Sequence, residues 1–286
     1  MTIAAGLLVA MLVSLLATLA LSAVSAAIRL AAPARVASGP QLGTPSILLR
    51  TGIHAGLLVS LALGLATLGA RVTLTGHAPW SNLYEFSQAF AVALLGAYLL
   101  LARRMPIGGL AALVALVAAV LVAYALTLPD EVLPLVPALQ APLLLTVHVG
   151  AAMLAYAISG VAFVAAVAEL IQRRTGGRIA MLPSTTIAAA AAHRSVVVAF
   201  PILTLAILLG SVWANLAWRS YWNNDPKELA AAATWLVYAA YLHISVRRDR
   251  WADYAPWLLV LGFAAVLFTF LGAGLLFVGQ HSYAAS

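Results

Sequence analysis

The chain has 286 residues, of which 64% are hydrophobic and 8% are charged. This composition excludes an ordinary soluble domain and indicates a polytopic membrane protein. The sequence contains no cysteine, which excludes disulfides, cysteine-ligated metals and thiol chemistry by its own side chains.

Eight windows of about 20 apolar residues each predict membrane-spanning helices. They cover residues 3–28, 47–70, 84–102, 107–127, 143–170, 196–216, 229–246 and 254–278. No basic residues precede the first window and no clear cleavage site follows it, so we interpret it as a helix rather than a signal peptide. We therefore predict an all-α fold, a polytopic membrane bundle of about eight transmembrane helices that forms one membrane domain over residues 1–286.

The positive charges follow a topology pattern rather than a nucleic-acid-binding pattern. Twelve of the fifteen basic residues fall in the first, third, fifth and seventh segments between the windows. The positive-inside rule then predicts that these segments are cytoplasmic and that both termini lie outside. Residues 30–45 and 172–195 are predicted to be flexible cytoplasmic loops, the second with a short surface helix at residues 188–192.

Uncommon residues concentrate in three segments predicted to lie at the outer face, residues 71–86, 128–142 and 213–228. The last one, WANLAWRSYWNNDPKE, holds three tryptophans, a tyrosine, the only lysine and two of the eight acids. Flat aromatic surface and fixed charge at a membrane edge predict a site for a large planar ligand with polar or anionic edges. An interfacial Trp/Tyr belt with a helix cap is the alternative interpretation.

The spacing within this segment predicts its local structure. Trp218 and Trp222 are four residues apart and would share one face of a helix. The following Asn-Asn-Asp-Pro sequence predicts a turn. Asp225 or a neighbour is predicted to cap a helix that begins near Lys227, with Glu228 in its first turn.

Two histidines, His148 and His281, are predicted to lie at the same outer face as these tryptophans. Neutral imidazole binds iron, and two opposed histidines can clamp a planar haem. Packing histidines bonded to backbone carbonyls are the alternative, but the pair beside a Trp-rich segment favours iron ligands. We therefore predict that both are metal ligands.

The other four histidines divide into two groups. His54 and His243 are each predicted to lie about 6 Å inside the cytoplasmic boundary, where an ionisable group is usually functional. Their matched depth suggests a second pair, although the sequence does not show that their helices touch. His77 and His193 are predicted to be solvated residues of a turn and a loop.

Four patches resemble the CcsA/ResC family of the system II cytochrome c maturation pathway, whose members handle haem and carry a Trp-rich "WWD" domain. They are G-H-A-P-W-S-N-L-Y-E at residues 76–85, V-H-V at residues 147–149, the tryptophan segment at residues 213–228 with the following helix, and H-S-Y at residues 281–283. The order and spacing match over most of the chain. The D-P-K-E ending favours this family over the related CcmC and CcmF proteins.

The resemblance implies a role for each candidate residue. His148 and His281 would be the outer axial ligands of a transiently bound b-type haem, and His243 would be an inner-side histidine that handles haem on its way across. The haem-facing surface would be formed by Trp213, Trp218, Trp222 and Asp225. The protein would be a haem-handling subunit of a cytochrome c haem lyase (synthase) complex in the bacterial plasma membrane, and it would present haem for covalent attachment to the CxxCH motif of apocytochrome c. A CcsB/ResB-like membrane protein would be its partner.

The sequence departs from the family pattern at three places. Asn224 stands where the family has Trp, Arg219 where it has Gly, and Leu229-Ala230 where it has Thr-Trp. Two alternatives therefore stay open, a haem transporter or chaperone without lyase activity and a structural or assembly subunit of a membrane complex. Pairing of Arg219 with a haem propionate is a hypothesis for how the chain compensates.

Overall fold

The computed structural model describes residues 2–31, 44–132, 135, 139, 142–246 and 253–281. Eight helices of 13 or more residues occupy most of these ranges. They are α1 (Ile3–Ala31), α2 (Thr44–Thr75), α3 (Leu83–Ala102), α4 (Ala111–Ala125), α5 (Pro142–Thr175), α6 (Thr185–Trp218), α7 (Pro226–Ser245) and α8 (Ala255–Leu267). A π-helical turn, Phe268–Gly272, joins α8 to the short α9 (Ala273–Leu276).

The helices confirm the predicted all-α membrane bundle. Within the described residues, seven segments are long and apolar enough to cross a membrane. The exception among the eight predicted windows is α7, which at 20 residues is long enough to span. Its hydropathy is lowered by polar and aromatic side chains, among them Trp235, Tyr238, Tyr241 and His243.

The predicted cytoplasmic loop at residues 172–195 is mostly helical, which corrects its boundaries. α5 continues to Thr175 and α6 begins at Thr185, so the connection covers only residues 176–184. The alanine run at residues 188–192 lies inside α6, and most of its side chains are buried. Alanine has the highest helix propensity, and its small side chain lets α6 pack closely along α5. The other predicted loop, residues 30–45, lies largely outside the described residues.

The packing places α5 at the centre of the bundle, in contact with α3, α6 and α8. α1 and α2 form a hairpin against α4 and α3. Aromatic side chains fill the core between α3, α5 and α8: Phe90 lies 6.4 Å from Tyr156, 6.3 Å from Phe263 and 5.5 Å from Phe270 between ring centroids. This core supports the ends of α5, α6 and α7, which converge on one cleft.

A buried ion pair ties α2 to α3. Arg71, predicted in a loop, lies in α2, and its Nε donates to Glu85 Oε1 at 2.7 Å, with side chains 1% and 0% exposed. The Arg71 guanidinium also donates to the carbonyls of Asp130 and Glu131 at 2.6 and 3.1 Å. Glu85 Oε2 accepts from the backbone N–H and the hydroxyl of Ser81, both at 2.8 Å. This network fixes the turn at residues 76–82 in place.

Candidate functional site

A cleft opens where α6 ends and α7 begins. It encloses about 1130 Å³ of empty space, counting the part open to solvent. Its wall includes both predicted iron ligands and two of the predicted surface tryptophans. The lining residues include Trp80, His148, Trp213, Trp222, Lys227, Glu228 and His281.

His148 lies in the second turn of α5 and is held by the neighbouring helix. Its Nδ1 lies 2.8 Å from the carbonyl oxygen of Ala206 in α6. A carbonyl only accepts, so Nδ1 carries the proton and Nε2 carries the lone pair of the neutral ring. Gly210 makes room for the ring, because a Cβ there would lie 2.6 Å from His148 Cε1.

His281 is fixed by a carboxylate rather than a carbonyl. Its Nδ1 donates to Asp225 Oδ1 at 2.7 Å, and the Asp225 side chain is 1% exposed. Burial alone would raise the pKa of Asp225, but the hydrogen bond and charge of His281, with two backbone N–H groups, lower this pKa to about 2. In the neutral ring, donation by Nδ1 again leaves the lone pair on Nε2.

Asp225 is also the N-cap of α7, which confirms the predicted cap. Its Oδ1 accepts from the backbone N–H of Lys227 at 2.9 Å. Glu228 completes a capping box, because its Oε2 accepts from the N–H groups of Asp225 and Asn223 at 3.2 and 2.7 Å. Both acids of the tryptophan segment are therefore engaged at the start of α7.

The structure brings Trp213 and Trp218 together with both histidines. Trp213 is 2% exposed and stacks on His148 with ring centroids 6.2 Å apart and planes inclined by 9°. Its centroid lies 5.6 Å from that of His281. Trp218 contacts Trp213 and His281 at centroid distances of 4.7 and 4.8 Å, edge to face in each case.

The prediction that Trp218 and Trp222 share one face of a helix is wrong. α6 ends at Trp218, and Arg219 adopts a left-handed conformation with φ 62° that turns the chain. Trp222 therefore lies in the connection to α7, is 43% exposed and still lines the cleft. Its indole N–H donates to Asn224 Oδ1 at 2.9 Å. Asn224 is also left-handed, at φ 53°, a conformation that asparagine tolerates well.

The cleft lies within a region that matches a known protein family. Residues 80–281 match the family described as "Cytochrome C assembly protein". The chain belongs to the cytochrome c assembly protein family. The matched region begins at Trp80 and ends at His281, which both line the cleft.

Two relatives that align with most of the chain are named for cytochrome c biogenesis. The chain is 35% identical to the "Cytochrome c biogenesis protein CcsA" of Microcystis aeruginosa, with 84% of this chain and 89% of the relative aligned. It is 36% identical to the protein of the same name in Parasynechococcus marenigrum, over 82% of this chain and 87% of the relative. The chain's role is therefore in cytochrome c maturation.

A solved structure shares the fold. The "Cytochrome c Heme Lyase CcmF" aligns with a TM-score of 0.68 at 21% sequence identity. The alignment covers 95% of this chain and 47% of that chain. This likeness shows that the two proteins share an arrangement of helices.

The second predicted histidine pair is not brought together. His54 and His243 are both exposed, on α2 and α7. α2 packs against α1, α3 and α4, whereas α7 packs against α6 and α8. The two side chains therefore lie on helices with different neighbours.

Of the two histidines predicted to lie in a turn and a loop, only His77 does so. His193 lies in α6 rather than in a loop, and its ring lies 6.2 Å from that of Tyr241. His77 is in the predicted turn, where its Nδ1 lies 2.9 Å from the Ala78 carbonyl oxygen.

Sequence reasoning missed several residues of the cleft. Trp80 lies inside the motif at residues 76–85, so its position in that motif was a usable signal. Gly210, which admits the His148 ring, looks like any glycine in an apolar helix. Tyr156 and Phe270 also line the cleft, but aromatic residues in apolar helices carry no signal that separates a cleft wall from a core.

Proposed function

We propose that this chain holds a transiently bound b-type haem in the cleft and presents it for covalent attachment to the CxxCH motif of apocytochrome c. One observation carries the proposal. His148 and His281 line one cleft, both contact Trp213, and each ring is held through Nδ1. Imidazole Nε2 atoms oriented in this way are suitable axial ligands for haem iron.

The partners of the two rings support this role. An acceptor on Nδ1 fixes the orientation of a ligating imidazole and raises its basicity. Ala206 supplies a neutral acceptor to His148, and Asp225 supplies a charged acceptor to His281.

The tryptophans of the site provide an aromatic surface for the proposed haem. Trp213 and Trp222 line the cleft, and Trp218 packs edge to face on Trp213 and His281. These three tryptophans are the proposed haem-facing surface, and Asp225 acts behind His281 rather than on the porphyrin face. Aromatic rings bury a planar ligand with little loss of side-chain entropy.

The reaction would rest on positioning. Bound haem supplies the iron and the vinyl groups to which cysteine thiols add. The 286 residues contain no cysteine, so the thiols come from the apocytochrome. This chain's residues hold the reacting group at a fixed place, which converts a bimolecular encounter into an oriented one.

The proposed setting is the bacterial plasma membrane, with the cleft and both termini outside. The basic residues of alternate segments support this orientation. His243 supports a membrane partner of the CcsB/ResB kind. Its side chain is exposed on the surface of α7, where a helix of the partner can reach it and complete an inner-side site.

Visible spectroscopy of the purified chain tests the proposal. We expect low-spin haem bands in the oxidised and reduced protein, and their loss or shift in a His148→Ala/His281→Ala variant. His54→Ala is the matched control, because this exposed histidine lies outside the cleft. A wild-type protein that stays colourless after haem addition with its partner co-expressed would contradict the proposal and favour a structural subunit.

A second measurement separates presentation from transport. Cells that lack the native protein are complemented with the same variants, and covalent attachment is scored by haem staining of a reporter cytochrome c. Loss of haem export with unimpaired attachment would favour a haem transporter or chaperone without lyase activity.

A further inference from the structure

The only lysine of the chain, Lys227, lies in the wall of the cleft with both histidines. The carboxylates of the two acids nearest to it in sequence are hydrogen-bonded to groups other than its ammonium. Asp225 binds His281 and a backbone N–H, while Glu228 accepts from the N–H groups of Asp225 and Asn223. Among the residues that the structure describes, no carboxylate lies within salt-bridge distance of the Lys227 ammonium.

A lysine in this position is suited to bind an anionic group of a ligand. Its side chain is partly buried, and an ammonium group removed from water is costly unless an anion accompanies it. The capping contacts of Asp225 and Glu228 fix the first turn of α7 and therefore fix the backbone of Lys227. The cleft thus presents one cation, anchored through its backbone, beside two imidazoles.

We propose that Lys227 forms an ion pair with a propionate carboxylate of the porphyrin held in this cleft. The inference rests on the proposed function and adds an orientation to it. A carboxylate edge held at the start of α7 stops the porphyrin from rotating about the axis through its iron. The vinyl groups then occupy one fixed position for the incoming thiols.

Arg219 does not take this role. Its side chain is exposed and is not part of the cleft wall, although it lies only eight residues before Lys227 in the sequence. The left-handed conformation of Arg219 ends α6 and places the two cations in different surroundings. Arg219 therefore serves as a matched cation for comparison.

The test compares two porphyrins. Detergent-purified chain is titrated with ferric haem and with its dimethyl ester, in which both propionates are uncharged, and Kd is read from the Soret band. The ratio of the two Kd values is compared between variants, because the partition of each porphyrin into micelles then cancels. We expect the wild type to favour the free acid by a ratio about tenfold larger than that of Lys227→Met. Arg219→Met is expected to keep the wild-type ratio.

Lys227→Arg protects the test against a folding defect. It keeps the positive charge and is expected to retain most of the preference, with an unchanged helical circular dichroism spectrum. A Lys227→Met ratio equal to that of the wild type would overturn the ion pair, and so would equal losses in the Arg and Met variants. Failure of the wild type to bind either porphyrin would instead contradict the proposed function itself.

Discussion

Asp225 and His281 are 56 residues apart in sequence, yet Oδ1 of the first accepts a hydrogen bond from Nδ1 of the second at 2.7 Å. The same carboxylate caps α7 through the backbone N–H of Lys227. One buried side chain therefore fixes both the start of a helix and the orientation of a proposed iron ligand. Substitutions at residue 225 separate these two roles.

The Asn and Ala variants of Asp225 are expected to differ. Both variants should lose the contribution of the ionised carboxylate, about 2 kcal/mol of unfolding free energy at neutral pH. Asparagine is as good an N-cap as aspartate, so Asp225→Ala should cost about 1 kcal/mol more than Asp225→Asn. Both variants remove the negative charge behind His281 and should weaken haem binding. Thermal unfolding and Soret titration in detergent measure the two effects.

Asp253→Asn is the control for this pair. Asp253 is 90% exposed and binds Arg173 away from the cleft, so its substitution should change neither quantity. Equal stability losses in Asp225→Asn and Asp225→Ala would show that the cap is not what Asp225 contributes.

The low pKa of Asp225 predicts a pH dependence. The pKa falls from the ordinary value of 3.8 to about 2 in the folded chain, so the ionised carboxylate stabilises the fold above pH 3.8. As the pH drops through about 2 this contribution, about 2 kcal/mol, is lost. Thermal unfolding of the wild type should converge on that of Asp225→Asn over this range. Parallel curves for the two proteins would refute the assigned shift.

The sequence predicted the parts of the fold that depend on local pattern. Apolar windows located all eight long helices of the described residues, and the Asp-Pro turn located the N-cap of α7. The grouping of His148, His281, Trp213 and Trp218 agrees with the sequence prediction, which placed all four at one membrane face and, through the family resemblance, gave them a common ligand.

The predictions that were wrong concern features that depend on contacts between distant segments. Arg71 extends α2 into a predicted loop because Glu85 supplies a buried partner across the turn. Trp222 leaves the helix because Arg219 turns the chain, and arginine gives no warning of a left-handed residue. His54 and His243 share a predicted depth, but depth does not specify which helices are neighbours.

The Arg71–Glu85 ion pair predicts strong coupling between two substitutions. Removing one partner leaves a buried charge, so Arg71→Met or Glu85→Gln alone should cost about 3–5 kcal/mol of unfolding free energy. The double variant should cost clearly less than the sum of the two single losses. Thermal unfolding of the four proteins in detergent measures the coupling. Additive losses would mean that the two side chains act independently, and Arg173→Met supplies a half-buried comparison at another ion pair.

Gly210 offers a test of the His148 position that leaves the histidine in place. A methyl group at residue 210 would lie 2.6 Å from His148 Cε1 and 3.0 Å from Nδ1, so Gly210→Ala should displace the ring and break its bond to Ala206. We expect haem binding to weaken about tenfold or more, since a 1 Å misplacement of a ligating group is costly. Gly150→Ala is the matched control, because a Cβ there meets nothing within 4 Å and alanine favours the helix. If both variants bind haem as the wild type does, the ring orientation seen here does not determine ligation, and Soret titration of the pair decides the question.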